Sequence, residues 1–106
     1  MRVSSDLYYD EPRVMLIGSK GVHLLTKGQQ ILFSTLLRAG GAPVSAQTLA
    51  MRLAGDSLVP RQVKTVRNAI SRLRRDLAKI TPTVRVANRY AIGYYIHVDS
   101  PAPRDA

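Results

Sequence analysis

The two histidines and seven carboxylates of this 106-residue chain are the first candidates for acid–base or metal chemistry, and their spacing suits neither. Neither His23 nor His97 has an Asp or Glu at a metal-ligand spacing, and three carboxylates (Asp6, Asp10, Glu11) crowd the first eleven residues. There is no Gly-x-Ser-x-Gly, no paired-carboxylate signature and no nucleotide fingerprint. Gly18-Ser19-Lys20-Gly21 has the glycines of a phosphate cradle, but no P-loop Lys-Ser/Thr follows and no helix is expected directly after it. Cysteine is absent, which excludes disulfides, thiolate metal sites and a Cys nucleophile. Both histidines are expected on strands at the solvent boundary. The chain is expected to be no enzyme and to need neither metal nor cofactor.

The chemistry that stands out is cationic. Sixteen Lys and Arg face seven Asp and Glu, a formal net charge of +9. From Arg61 to Arg89 there are nine basic residues and one acid, net +8 in 29 residues, whereas the other 77 residues carry net +1. Solvated helix faces usually relieve such charge with Glu–Lys pairs at i,i+4, but here Lys64 precedes Asn68 and Arg67 precedes Ser71. Like charge left unrelieved costs stability, so a polyanionic partner is expected. The residue types sharpen this. Arg matches guanine O6/N7 and Asn matches adenine N6/N7 through paired hydrogen bonds in the major groove of duplex DNA. Asn68 and Arg72 stand one helical turn apart on the outermost face. A membrane surface fits less well, because the apolar stripe of this segment lacks Trp and Phe and is needed to close a small core. No apolar run approaches the roughly 18–20 residues that span a bilayer, and the N-terminus is no signal peptide, so a cytoplasmic location is expected.

The elements that must position these side chains can be read from periodicity. Leu7–Tyr9, Arg13–Ile17 and Val22–Leu25 read as strands, the last two joined by the glycine-rich turn. Thr26-Lys27-Gly28-Gln29 has the form of a capping box opening a helix over 27–39, stopped by Gly40-Gly41. Ser45 caps a second helix over 46–54. In the third, 61–80, Val63, Val66, Ile70, Leu73, Leu77 and Ile80 alternate steps of three and four to form one apolar stripe. Arg61, Lys64, Asn68, Ser71, Arg72, Arg75 and Lys79 cluster opposite, with Arg67 and Arg74 on one flank. Pro60 suits the start, and Thr81-Pro82 ends the helix. Residues 83–87 and 94–98 read as a β-hairpin whose connection, Asn88 to Gly93, makes a basic tip. One domain over 1–98 and a disordered tail over 99–106 are expected.

The order sheet, helix, short strand, helix, basic helix, hairpin resembles the winged helix-turn-helix effector domain of OmpR/PhoB-type transcriptional regulators. The matching residues are Leu25-Thr26-x-x-Gln29 with Leu32-Phe33, Val44-Ser45-x-x-x-Leu49, Thr65-Val66, Ile70-Ser71-Arg72-Leu73-Arg74-Arg75-Asp76-Leu77 and Gly93-Tyr94. The resemblance implies an α+β fold: a four-stranded N-terminal antiparallel sheet, three helices and a C-terminal β-hairpin wing. It implies that the third helix enters the major groove of double-stranded DNA and that the wing reaches the adjacent minor groove. By position, Lys64, Arg67, Asn68, Ser71 and Arg72 are then the base-contacting set, with Arg72 foremost. Arg61, Arg74, Arg75 and Lys79 are the phosphate contacts, and Arg85, Asn88, Arg89 and Tyr90 belong to the wing. Tyr94 and Ile96 pack the wing strand.

Three departures qualify the likeness. Arg67 stands where the family often has an acid, so base preference should differ. Tyr90, beside Arg89, replaces the usual wing arginine. Ala54 replaces an aromatic at the end of the second helix, which implies a differently packed loop over 55–60. The family usually carries a receiver domain before this one, and none fits here. The chain reads as either a free-standing regulator or an excised effector domain, bacterial and nucleoid-associated, binding DNA as two copies, with RNA polymerase a further partner the fold allows. The competing expectation is a winged helix that binds RNA or a protein such as an RNA polymerase subunit.

Overall fold

The computed structural model describes residues 1–55 and 63–99. Strands β1 (Leu7–Asp10), β2 (Met15–Gly18) and β3 (Gly21–Leu24) form an antiparallel sheet in the order β1-β2-β3. Helices α1 (Lys27–Arg38), α2 (Ala46–Ala54) and α3 (Val63–Ile80) follow, and β4 (Val84–Arg89) and β5 (Gly93–Val98) close the chain as an antiparallel hairpin. This is a winged helix fold. The fourth sheet strand is reduced to one bridge, Arg2 to Tyr8, because the chain turns at once through Ser4–Asp6, where the Val3 and Ser4 N–H groups donate to the Leu7 carbonyl. The expected helix start at 61–62, with Pro60, the loop over 56–60 and the tail beyond Asp99 lie outside the described residues.

Local chemistry accounts for the helix boundaries. The Thr26 hydroxyl accepts from the Gln29 N–H at 3.2 Å, and the Gln29 amide oxygen accepts from the Thr26 N–H at 3.1 Å. Both members of the capping box are therefore made. The Ser45 hydroxyl accepts from the Thr48 N–H at 3.1 Å and starts α2.

The stripe on α3 becomes the floor of the core: Val66, Ile70, Leu73, Leu77 and Ile80 are all buried. Val63, read as part of that stripe, is 39% exposed, since the first turn of α3 runs past the core. From α1, Leu32, Phe33 and Leu36 pack onto α3, and the sheet covers them with Leu7, Tyr9 and Leu16. The Tyr9 and Phe33 rings meet edge to face with centroids 5.3 Å apart. Two glycines let backbones touch. A Cβ on Gly18 would fall on the Ile80 carbonyl, and one on Gly93 would fall on the Val44 carbonyl. The first contact seats the β2–β3 turn on the end of α3, where the Lys20 N–H also donates to the Ile80 carbonyl at 3.0 Å. The second seats the hairpin against the start of α2.

Candidate nucleic-acid interface

With one side of α3 committed to the core, the opposite side is left to solvent. Lys64, Asn68, Ser71, Arg72, Arg75 and Lys79, expected opposite the apolar stripe, are all exposed there, and so is Arg67, expected on the flank. Among the described residues, the one Lys or Arg salt bridge is Arg13–Asp10, and His23 and His97 lie beside Asp76 and Asp99, so no Lys or Arg of α3 or the hairpin is paired with an acid. The outer face of α3 is thus an unbroken row of cations and small polar groups. Arg61 lies outside the described residues.

The one acid of α3 is drawn inward. The Gln29 amide nitrogen donates to Asp76 Oδ2 at 2.7 Å, and His23 Nε2 stands 3.4 Å from the same oxygen. His23 Nε2 is also 2.9 Å from Gln29 Oε1, an oxygen that can only accept, so the ring donates from Nε2. Gln29 is buried, so the residue that caps α1 also ties that cap to α3 and to β3. Sequence reasoning found the capping box but missed this second use of Gln29, which brings together residues 47 apart. It also placed His23 as a plain boundary residue.

Arg74 differs from its neighbours. It is half-buried, its Nε donates to the Val86 carbonyl at 2.8 Å, and its guanidinium lies 5.8 Å from the Tyr94 ring centroid. It joins α3 to both strands of the hairpin. Tyr94 is held in turn by paired backbone bonds with Val44, at 2.7 and 2.9 Å. Ile96 is buried and Tyr94 half-buried against the core, so both pack the wing strand as expected.

The hairpin extends further than the sequence reading allowed. Asn88 and Arg89 are strand residues, paired with Tyr94 and Gly93, and the turn is only Tyr90-Ala91-Ile92. Ala91 adopts φ 62°, and the Ile92 N–H donates to the Arg89 carbonyl at 2.9 Å, which closes the chain sooner than a six-residue loop would. The tip is consequently apolar rather than basic: Tyr90 is 92% exposed and Ile92 56%. Arg85, Asn88 and Arg89, all exposed, lie behind it along β4.

Residues 19–96 match the family described as "Transcriptional regulatory protein, C terminal". The chain belongs to this OmpR/PhoB-type family of DNA-binding regulator domains. The fold is similar to the DNA-binding domain of CadC from E. coli, with a TM-score of 0.76 and 21% identity over 92% of this chain and 90% of that one. It is also similar to the DNA-binding domain of the response regulator AdeR, solved in complex with an intercistronic region, with a TM-score of 0.69 and 20% identity over 94% of this chain and all of that one. No curated protein sequence matches the chain. The family is one of transcription regulators, not of enzymes. Among the described residues of this OmpR/PhoB-type domain, no cluster of three or more His, Asp or Glu could hold a metal ion, and no helix is long and apolar enough to cross a membrane.

Proposed function

We propose that this domain reads a specific sequence in double-stranded DNA, with α3 in the major groove and the β4–β5 wing directed at the neighbouring minor groove. The observation that carries the reading is the outer face of α3, where Arg67, Asn68, Ser71 and Arg72 combine charge with base-reading chemistry while Asp76 is turned into the fold. Lys64 flanks this set, and Arg75 and Lys79 are placed to meet phosphates. Arg85, Asn88 and Arg89 line the wing, with Tyr90 at its end. Two copies on adjacent half-sites are the expected arrangement, in the cytoplasm of a bacterial cell.

Selection from a random duplex pool tests the proposal. A sharp motif should emerge, and Arg72→Ala should cost about 1–3 kcal/mol on it and relax one base position, whereas Arg75→Ala should weaken all sequences about equally. Unchanged affinity and base preference in Arg72→Ala would show that α3 is not the reading helix.

The apolar wing tip favours a second reading, in which Tyr90 and Ile92 meet a protein such as an RNA polymerase subunit. Tyr90→Ser would then leave affinity for isolated DNA unchanged while lowering transcription in a reconstituted system.

A further inference from the structure

We propose that the notch between the start of α1 and the flank of α3 is a phosphate-binding site. In it Lys27, with Arg75, holds a backbone phosphate of the bound duplex. The inference rests on the DNA-binding reading above and extends the interface to a helix that reading does not use.

The notch is open and about 880 Å³ in volume. Lys27 and Gly28 from the start of α1, Leu53 from the end of α2, and Asn68, Arg72 and Arg75 from α3 line it. Lys27, Asn68, Arg72 and Arg75 are exposed. Sites for small organic ligands are mostly apolar and bury most of the ligand. This one is open, with three cations on its walls, which suits an anion carried on a larger molecule. Asp76 also borders the notch, but its Oδ2 already accepts a hydrogen bond from the Gln29 amide and lies beside His23. The first turn of α1 has no acidic residue to pair with Lys27.

The position fits the geometry of a helix in a groove. A helix with its side chains is about 10–12 Å across and the major groove about 12 Å wide, so the helix fills the groove and its flanks face the sugar–phosphate walls. In the DNA-binding reading Asn68 and Arg72 meet base edges, and both line the notch together with Arg75, one turn further along α3. Lys27 stands across the notch from these three on a different element, where the wall of the groove must pass. A lysine serves a phosphate as a compact point charge and needs no fixed approach angle.

The test uses Lys27→Gln, which removes the charge from an exposed first-turn position, and Lys27→Arg, which restores it. Binding is measured by anisotropy over a range of salt on the selected duplex, on a shuffled duplex, and on selected duplexes carrying one uncharged methylphosphonate at each phosphate in turn. Lys27→Gln should weaken both unmodified duplexes equally, by about threefold to tenfold, and lower the log–log salt slope by about 0.9. Lys27→Arg should recover the wild-type values. One methylphosphonate position that weakens the wild type should no longer weaken Lys27→Gln. Unaltered affinity and slope in Lys27→Gln, or the same methylphosphonate profile as the wild type, would overturn the site while leaving sequence-specific binding intact. Failure of the wild type to bind any duplex would instead remove the reading on which the site rests.

Discussion

Arg74 and Arg75 are adjacent in sequence and equal in charge, yet the fold gives them different tasks. Arg75 is exposed, whereas Arg74 donates from Nε to the Val86 carbonyl and lies against Tyr94. A residue acting only as a phosphate cation tolerates lysine. One that holds a carbonyl through Nε does not, because lysine has no nitrogen at that place in the chain. Arg74→Lys should therefore cost about 1–2 kcal/mol in urea denaturation, the scale of a lost charge-assisted bond, and reduce selectivity at bases under the wing. Arg75→Lys should be close to silent in both measurements. Equal behaviour of the two variants would return Arg74 to the role of a plain phosphate contact. The sequence showed which side of α3 is polar, because a 3.6-residue period is a local property. It could not show that Arg74 turns toward a strand 12 residues on, or that Asp76 is held by Gln29, since those contacts exist only after the helices pack.

Elements are held to one another here by a few short-range constraints, and two of them make predictions. The turn before β1 is tied to the α3–β4 junction through Asp6, whose carboxylate accepts from Thr81 at 2.7 Å, from Ser19 at 2.7 Å, from Ser4 at 3.1 Å and from Thr83. Burial pushes its pKa up, but the hydroxyls of Thr83, Ser19, Thr81 and Ser4 together outweigh that and lower it from 3.8 to about 2. A carboxyl with a folded pKa below its unfolded one adds stability above the unfolded value and loses it as pH falls through the folded value. The wild type should thus lose on the order of 1 kcal/mol, after solvent screening, between pH 5 and about 2 through this group. Asp6→Asn should lack that part of the pH dependence when urea midpoints are compared; an identical pH profile would mean the hydroxyls do not favour the ionised form. At the other end, Gly93→Ala should cost about 1–3 kcal/mol, because its methyl meets the backbone of Val44 and Ser45, which has no side-chain freedom to yield. Thermal melting of Gly93→Ala at wild-type stability would show that the wing can lift from α2. The three helices were legible because caps and apolar periodicity lie within each segment. The strand limits of the wing were not, because the pairing of Asn88 with Tyr94 and Arg89 with Gly93 depends on how tightly Ala91 lets the chain turn.

At the scale of the molecule, the governing quantity is where the charge lies. Of the total +9, the residues from Val63 to Arg89 carry net +7, on one helix and one hairpin that the fold brings side by side. Such a concentration repels itself, and salt screens the repulsion over a Debye length of about 8 Å at physiological ionic strength. The free domain should therefore melt at a higher temperature as salt is added from a low-salt buffer. A duplex that binds the folded state alone raises stability by about 2.7 kcal/mol at a concentration of 100 times Kd, more than about 10 °C for a domain of this size. Because phosphate contacts release condensed counterions, Kd rises steeply with salt, and the increment from DNA should shrink as salt is added. The two effects oppose each other: melting curves of the free and DNA-bound domain should converge with increasing salt, the free curve moving up and the bound curve down. Curves that instead rise in parallel would mean that the cationic face is not what holds the duplex, and that the charge on α3 and the wing serves another partner.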